Sequence, residues 1–331
     1  LVHLWEGIRG KEGFIATLAD INEAVVTLDA GAQLGLAISL AFTMFAVALG
    51  LKTDDFAFLK SHKRSVAVGL AAQVIGLPLL TLAVLILFNP MPGIALGMLI
   101  VACCPGGNVS NLFTRLSRGD TAYSVTLTTC SSIFSAAFLP FMILFWTALY
   151  APTRELVNEI ELDRVAFIIN TSITLLIPLT LGIWLAHSKP DLATRAQKIC
   201  LPIAVAIIAV IVIFGIATNA SLLTDFGSVI LPYVILHNAL AFALGALVGR
   251  FGLKRPSTRR ALVFEIGIQN SGLGLLIMLS QFGGLGSGLL IIATWGVWHF
   301  VGGFAVTGLY RLLGVARTPD TLSLQEDTHG L

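Results

Sequence analysis

Long apolar runs alternate with short polar joints along this chain, and the runs set the architecture. Nine stand out, at about 33–51, 65–88, 94–113, 121–150, 165–187, 199–219, 228–249, 261–280 and 285–310. An α-helix rises about 1.5 Å per residue, so about 20 residues cross the hydrocarbon core of a bilayer, and every run is near or above that length. The run at 121–150 has length to spare for tilt. The pattern predicts an all-α polytopic membrane protein with nine transmembrane helices. Periodicity inside each run adds little, because helices in a membrane bundle are apolar nearly all round.

Residues 1–32 read differently. Phe14, Leu18, Ile21, Val25 and Leu28 recur at helical spacing among the acidic Glu12, Asp20, Glu23 and Asp29. This predicts an amphipathic leader lying on the membrane surface rather than a span. The leader lacks the basic–apolar–small order of a signal peptide. The chain starts at Leu1, which leaves residues upstream of it open.

Composition agrees with the runs. Of 331 residues, 56% are hydrophobic and 11% charged, whereas soluble domains carry about 25% charged residues. The net charge of +2 matters less than its distribution. With residue 1 outside, 16 of the 20 Lys and Arg residues fall in inner loops or the 311–331 tail, leaving only Arg9, Lys11, Arg154 and Arg164 outside. That asymmetry predicts an outer N-terminus and a cytoplasmic C-terminus. The basic residues form short clusters between apolar runs, not a continuous basic face, so no nucleic-acid partner is expected. Cys103, Cys104, Cys130 and Cys200 lie in or beside apolar runs without CxxC spacing, and read as small buried hydrophobes.

Two runs are interrupted. In the third stands Cys103-Cys104-Pro105-Gly106-Gly107-Asn108-Val109-Ser110-Asn111. Proline removes a helical N–H and two glycines follow, so a helix should break near mid-membrane. The freed backbone groups must then be buried in protein or line a wet cavity, to which Ser110 and Asn111 add oxygens. In the eighth stands Glu265-Ile266-Gly267-Ile268-Gln269-Asn270-Ser271-Gly272. Glu265 sits about one turn inside the membrane, where a carboxylate is costly and functional by default. No span holds a central Lys or Arg, so a bound cation is the expected partner. Glu265 and Gln269 share a helix face, and carboxylate, amide and carbonyl oxygens suit a small hard cation such as sodium. Ser124 and Thr128 share a face of the hydroxyl-rich fourth span, and Gln73 lies in the second.

Both interrupted spans follow two other spans and precede a long one, which pairs spans 1–4 with 6–9 around an extra fifth. Span 3 runs outside to inside and span 8 the reverse. This is the inverted-topology repeat of an alternating-access secondary transporter, with two crossing discontinuous helices. Gln73 in span 2 answers loosely to His237 and Asn238 in span 7. On topology alone, a channel, a membrane-embedded enzyme and a receptor are alternatives.

Residues 103–111 and 265–272 resemble the signatures of the bile acid:sodium symporter family, and the resemblance extends over roughly 33–312. It implies a non-enzymatic, sodium-coupled symporter importing an organic anion, either bile acid-like or a small acid such as pantoate. It also implies a panel domain packed on a core domain. The division reads as a panel helix and first core helix at 33–88, core helices at 89–150, panel helices at 151–219 and core helices at 220–310. Two sodium ions are implied as coupling ions, with no other cofactor. One would bind Ser110, Asn111, Ser124, Thr128 and Glu265. The other would bind Gln73, Glu265 and Gln269 with backbone oxygens of Ile266 and Ile268. Asn108, Asn270, Pro105 and Gly106 are the implied substrate contacts. Family members commonly carry Thr-Ala where this chain has Asn108-Val109, and often Met at Ile268, so substrate identity is not carried over. The nine-span form is typical of the animal members. The protein would sit in a cell membrane or bacterial inner membrane. Alternatives are a proton-coupled carrier, an arsenite-type exporter using Cys104, or a non-transporting membrane receptor. His237 and His299 read as buried neutral histidines. Asn219-Ala220-Ser221 matches a glycosylation pattern at the outer membrane surface.

Overall fold

In a computed structural model of the chain, the described residues are 30–50, 58–218 and 220–314. The amphipathic leader up to residue 29, the tail from 315 and the glycosylation pattern's Asn219 lie outside them. No β-strand occurs among the described residues, and the protein is built from helices. In chain order these are α1 (Ala30–Ala48), α2 (Lys63–Phe88), α3 (Pro92–Cys103), α4 (Val109–Leu116), α5 (Thr121–Ala148) and α6 (Ala151–Glu159). Then follow α7 (Arg164–Ser188), α8 (Pro190–Thr218), α9 (Ala220–Gly252), α10 (Pro256–Gly267), α11 (Ser271–Gln281) and α12 (Gly286–Leu312).

Among the described residues, five stretches are long and apolar enough to cross a membrane: α2, α5, α7, Gly227–Gly252 of α9, and α12. The protein is an integral membrane protein whose shorter helices lie within this frame. α7 shows how both faces of a span become apolar. Val165, Ile169, Ile173, Ile177 and Leu181 are exposed at intervals of one turn, while Phe167, Leu175 and Leu179 are buried. Lipid and protein interior demand similar side chains, and only position separates them.

Both predicted breaks are present. The third apolar run is split between α3 and α4, and the eighth between α10 and α11. Every residue of α3 from Gly93 to Cys103 is buried, and so is α10 from Arg260 to Gly267. α3 packs against α2, α5, α11 and α12, and α10 against α4, α5, α9 and α12. The breaks are therefore surrounded by protein. α1, α7 and α8 pack on one another, and this group meets the rest through α7 against α5, α1 against α11 and α8 against α9.

Helix ends differ from the apolar runs where polar turns extend a helix beyond the hydrocarbon. α8 starts at Pro190, not near 199, and its first turns carry Asp191, Arg195 and Lys198. Proline is well placed at a helix start because its missing N–H has no intrahelical partner there. α10 starts at Pro256, not near 261, so Arg259 and Arg260 are helical rather than part of a loop. Arg260 is buried and donates through Nη2 to the Arg118 carbonyl at 2.7 Å. α6, whose sequence Ala-Pro-Thr-Arg-Glu-Leu-Val-Asn-Glu is polar, lies between the fourth and fifth apolar runs and was not among the predicted elements.

Asp120 ties the starts of α5 and α10 together. Its carboxylate accepts from Tyr123 N at 3.0 Å as the N-cap of α5, and from Thr258 Oγ1 at 3.2 Å. Its own N–H donates to Ser257 O at 3.1 Å. Loss of an N-cap carboxylate costs about 1 kcal/mol. Asp120→Ala should therefore lower the melting temperature of the detergent-solubilised protein, while Asp120→Asn, which still caps, should lower it less. Equal melting curves for Asp120→Ala and the wild type would refute the role.

Candidate functional site

The site forms where the two breaks meet. α3 ends at Cys103, Cys104 turns extended, and the chain passes through Pro105, Gly106 and Gly107 into α4. α10 ends at Gly267, and Ile268 to Asn270 lead extended into α11. The two extended segments pair antiparallel, Gly106 opposite Gln269. Gly107 N donates to Ile268 O and Asn270 N donates to Pro105 O, each at 2.9 Å. The approach is close enough to need glycine. A methyl at Gly106 would stand 2.9 Å from Glu265 Oε2, and one at Gly107 3.1 Å from the Gln269 carbonyl oxygen.

Glu265, 1% exposed, projects from the last turn of α10 into a ring of hydroxyls. Ser110 Oγ, in the first turn of α4, donates to Glu265 Oε1. Ser124 Oγ of α5 donates to the same oxygen at 2.5 Å, and Thr128 Oγ1, one turn on, lies 2.9 Å from Oε2. Thr128 Oγ1 is also 3.0 Å from Ser124 O, and its one proton serves either acceptor, not both. Asn111 Oδ1 is buried and accepts no hydrogen bond. The carboxylate and three hydroxyl oxygens form a donor set suited to a hard monovalent cation.

A second polar cluster adjoins the first. Gln73, buried within the single π-helical turn of α2 (Ala72–Gly76), donates through Nε2 to Cys104 O at 3.0 Å and to Gln269 Oε1 at 2.5 Å. Gln269 Nε2 reaches Ile266 O at 2.8 Å, and Glu265 O and Gln73 Oε1 at longer range. The predicted residues Gln73, Glu265, Ile266, Ile268 and Gln269 are thus brought together. The two amides are engaged with each other and with backbone carbonyls.

The four residues implied as substrate contacts separate into two groups. Asn108 is exposed and lines a cleft of about 420 Å³ between α1, α4, α5 and α8. Pro105 and Gly106 are buried at the crossing. Asn270 caps α11, its Oδ1 accepting from Leu273 N at 3.1 Å, so its Nδ2 is the end left to donate elsewhere. Thr128 lines the cleft and also bonds Glu265, which places the cleft beside the carboxylate ring, and Asn111 is a further residue of the cleft wall. Thr129, Ser132 and, from α8, Gln197 add neutral polar groups to a cleft wall that Val47, Val125 and Leu201 keep mostly apolar.

One contributor, Thr114, was missed in the sequence, and two others, Asn238 and His237, were visible there without a contact assigned to them. Thr114 Oγ1 lies 3.2 Å from Ser124 Oγ and supports it from α4; its spacing from Ser110 was the available signal. Asn238 Nδ2 donates to Gly267 O at 2.7 Å. His237 bonds Thr81 at 2.8 Å, and is buried as predicted, as is His299.

Broken helices crossing inside a bundle of apolar spans, with a buried carboxylate among hydroxyl oxygens, are the architecture of a secondary transporter. The model of the sodium bile acid symporter family matches residues 37–226, and the chain belongs to that family. Its relatives carry sodium-dependent transporter names. An uncharacterised sodium-dependent transporter of Bacillus subtilis, YocS, is 29% identical over 81% of this chain and 80% of its own length. A probable chloroplastic sodium/metabolite cotransporter of rice is 31% identical over 83% of this chain and 66% of its own. The human ileal sodium/bile acid cotransporter is 29% identical over 75% of this chain and 69% of its own. The family is one of sodium-coupled transporters rather than enzymes.

Overpacking a tight core site costs about 1–3 kcal/mol. Gly106→Ala, whose methyl would press on Glu265 Oε2, should therefore lower the melting temperature of the purified protein by several degrees. A melting curve superimposable on the wild type would mean that the crossing is looser than described.

Proposed function

We propose that this protein is a sodium-coupled symporter that imports an organic anion by alternating access. The observation that carries the reading is the shared wall. Thr128 borders both the caged carboxylate and the open cleft, which Asn111 also lines, so an ion in the cage would change the surface that a solute meets.

One sodium ion would be held by Ser110, Asn111, Ser124, Thr128 and Glu265. Its arrival turns the hydroxyl lone pairs inward in place of the protons they now give to Glu265. A second would be held by Gln73, Gln269, Glu265 and the Ile266 and Ile268 carbonyls, each of which keeps a lone pair beyond its present hydrogen bond. Glu265 bridges both ions. The anion would sit in the cleft beside Asn108 and near Asn270, at the positive N-terminal end of α11. Among the described residues no Lys or Arg lines that cleft, and in this reading the ions themselves supply the positive charge. Ion and anion binding then strengthen each other reciprocally. Two sodium ions with one monovalent anion carry one net charge inward, which an inside-negative potential favours by about 2.3 kcal/mol per 100 mV.

The group α1, α7 and α8 would be the panel, and α2–α5 with α9–α12 the core. Panel and core, each built from both inverted repeats, would move against each other around the crossing. With the N-terminus outside, Gly50, Thr121 and Gln197, which line the cleft, belong to the cytoplasmic ends of their spans. The cleft would open toward the cytoplasm, the side on which substrate and ions leave.

Glu265→Gln should abolish sodium-driven uptake of organic anions into liposomes and remove any thermal stabilisation by sodium relative to potassium at equal ionic strength. Wild-type uptake by the variant would sink the reading, and uptake driven by a pH gradient without sodium would favour a proton-coupled carrier. Ser124→Ala and Thr128→Ala should raise the half-saturating sodium concentration. Unchanged sodium titrations would mean that the first ion lies elsewhere.

A further inference from the structure

We propose that Asn238 is a positioning residue of the coupling site, the counterpart in the second repeat of Gln73 in the first. The inference rests on the sodium-symport reading and adds a residue which that reading does not use.

In an unbroken helix the Gly267 carbonyl would accept from Ser271 N. That N–H is diverted to Gln269 O at 2.9 Å. Asn238 Nδ2, from α9, takes its place on Gly267 O at 2.7 Å. In the first repeat the Cys104 carbonyl is likewise released at the end of α3, and Gln73 Nε2, from α2, takes it at 3.0 Å. Each donor is a side-chain amide on the long helix that immediately precedes the broken one. Each acceptor is the carbonyl at the C-terminal end of the first half-helix. The sequence separations are 31 residues for Gln73–Cys104 and 29 for Asn238–Gly267. Two independent contacts of the same kind, at nearly equal separation, are what an inverted repeat produces.

The two amides do different work beyond this bond. Gln73 also reaches Gln269 and so belongs to the second cation cluster. Asn238 is 1% exposed and directs its Oδ1 toward Gly302 of α12. Its neighbour His237 anchors α9 to α2. Thr81 gives its one proton to Leu77 O at 2.8 Å, so His237 Nε2 is the donor in the 2.8 Å bond to Thr81 Oγ1. Residues 237 and 238 thereby link the helix bearing Gln73 to the end of the helix bearing Glu265. Gly267 follows Glu265 by two residues, so the clamp on its carbonyl sets where α10 stops. That in turn sets where the Glu265 carboxylate stands relative to Ser110, Ser124 and Thr128.

The test uses the full chain, purified and in liposomes, with sodium and lithium titrations read by thermal stabilisation and by uptake. Asn238→Leu removes the amide, and Asn238→Asp keeps its shape without the N–H donors. Loss of an outer support of an ion site weakens affinity roughly 10–100-fold. Both variants should raise the sodium midpoint at least roughly tenfold on that basis and shift the preference for sodium over lithium. Their maximal uptake at saturating sodium should fall far less. A merely structural role would lower the melting temperature without moving the ion preference. If neither variant folds, Gly302→Ala carries the test, since its methyl would meet the Asn238 amide and the Phe242 ring and displace the donor without removing it. Folded variants with the sodium midpoint and ion preference of a sodium-responsive wild type would overturn this inference alone. A wild type indifferent to sodium would overturn the symport reading and this inference with it.

Discussion

A carbonyl released inside a membrane has no water to turn to, and the rest of this structure follows from how that demand is met. An α-helix satisfies its own backbone, so a break at mid-span is tolerated only where other protein groups take over. Here the takeover is nearly complete within one small volume. Pro105 O and Ile268 O are satisfied by the opposite break, through Asn270 N and Gly107 N. Cys104 O, Ile266 O and Gly267 O are satisfied by the side chains of Gln73, Gln269 and Asn238. Neither break could be stable without the other. The crossing is therefore a mutual requirement, and it holds Glu265 against the start of α4, where Ser110 waits.

The carboxylate brings a second demand. Burying an ion without a compensating charge is costly even when hydrogen bonds are supplied. The hydrogen bonds to Glu265 come from neutral hydroxyls on α4 and α5. Such donors can rotate: they give protons to a bare carboxylate and present lone pairs to a cation. Lysine or arginine in their place would neutralise the charge permanently and end its response to sodium. A cage of hydroxyls leaves the charge available, which is what a coupling site requires and what a purely structural ion pair would not provide.

Much of this was legible in the residues, for identifiable reasons. The spans were readable because the bilayer imposes a length, and the breaks because Pro105-Gly106-Gly107 cannot continue a helix. Glu265 was readable because a carboxylate has no cheap place in hydrocarbon. Helix ends were less so: hydropathy finds the hydrocarbon, while α8 and α10 extend past it through Asp191, Arg195 and Arg259, which helices accept readily. Asn238 was visible only as a loose match to Gln73, since an amide in a span has no signature separating a clamp from a self-satisfied side chain. The π-helical turn at Ala72–Gly76 left no mark, because Ala-Gln-Val-Ile-Gly is unremarkable as ordinary helix. Which face of α7 meets lipid was equally hidden, as both faces are apolar.

The arrangement also explains how a neutral cleft can serve an anion. A fixed cation in its wall would bind the solute in every state of the cycle, and tight binding in all states drives nothing, because only differential affinity shifts an equilibrium. With Thr128 standing between cage and cleft, positive charge would be present beside the solute only while sodium is, on the proposed reading. The cleft would then hold its cargo on the sodium-rich side and lose its attraction once the ions had left. Direction would come from the ion gradient, and the protein's part would be a wall thin enough for one site to feel the other.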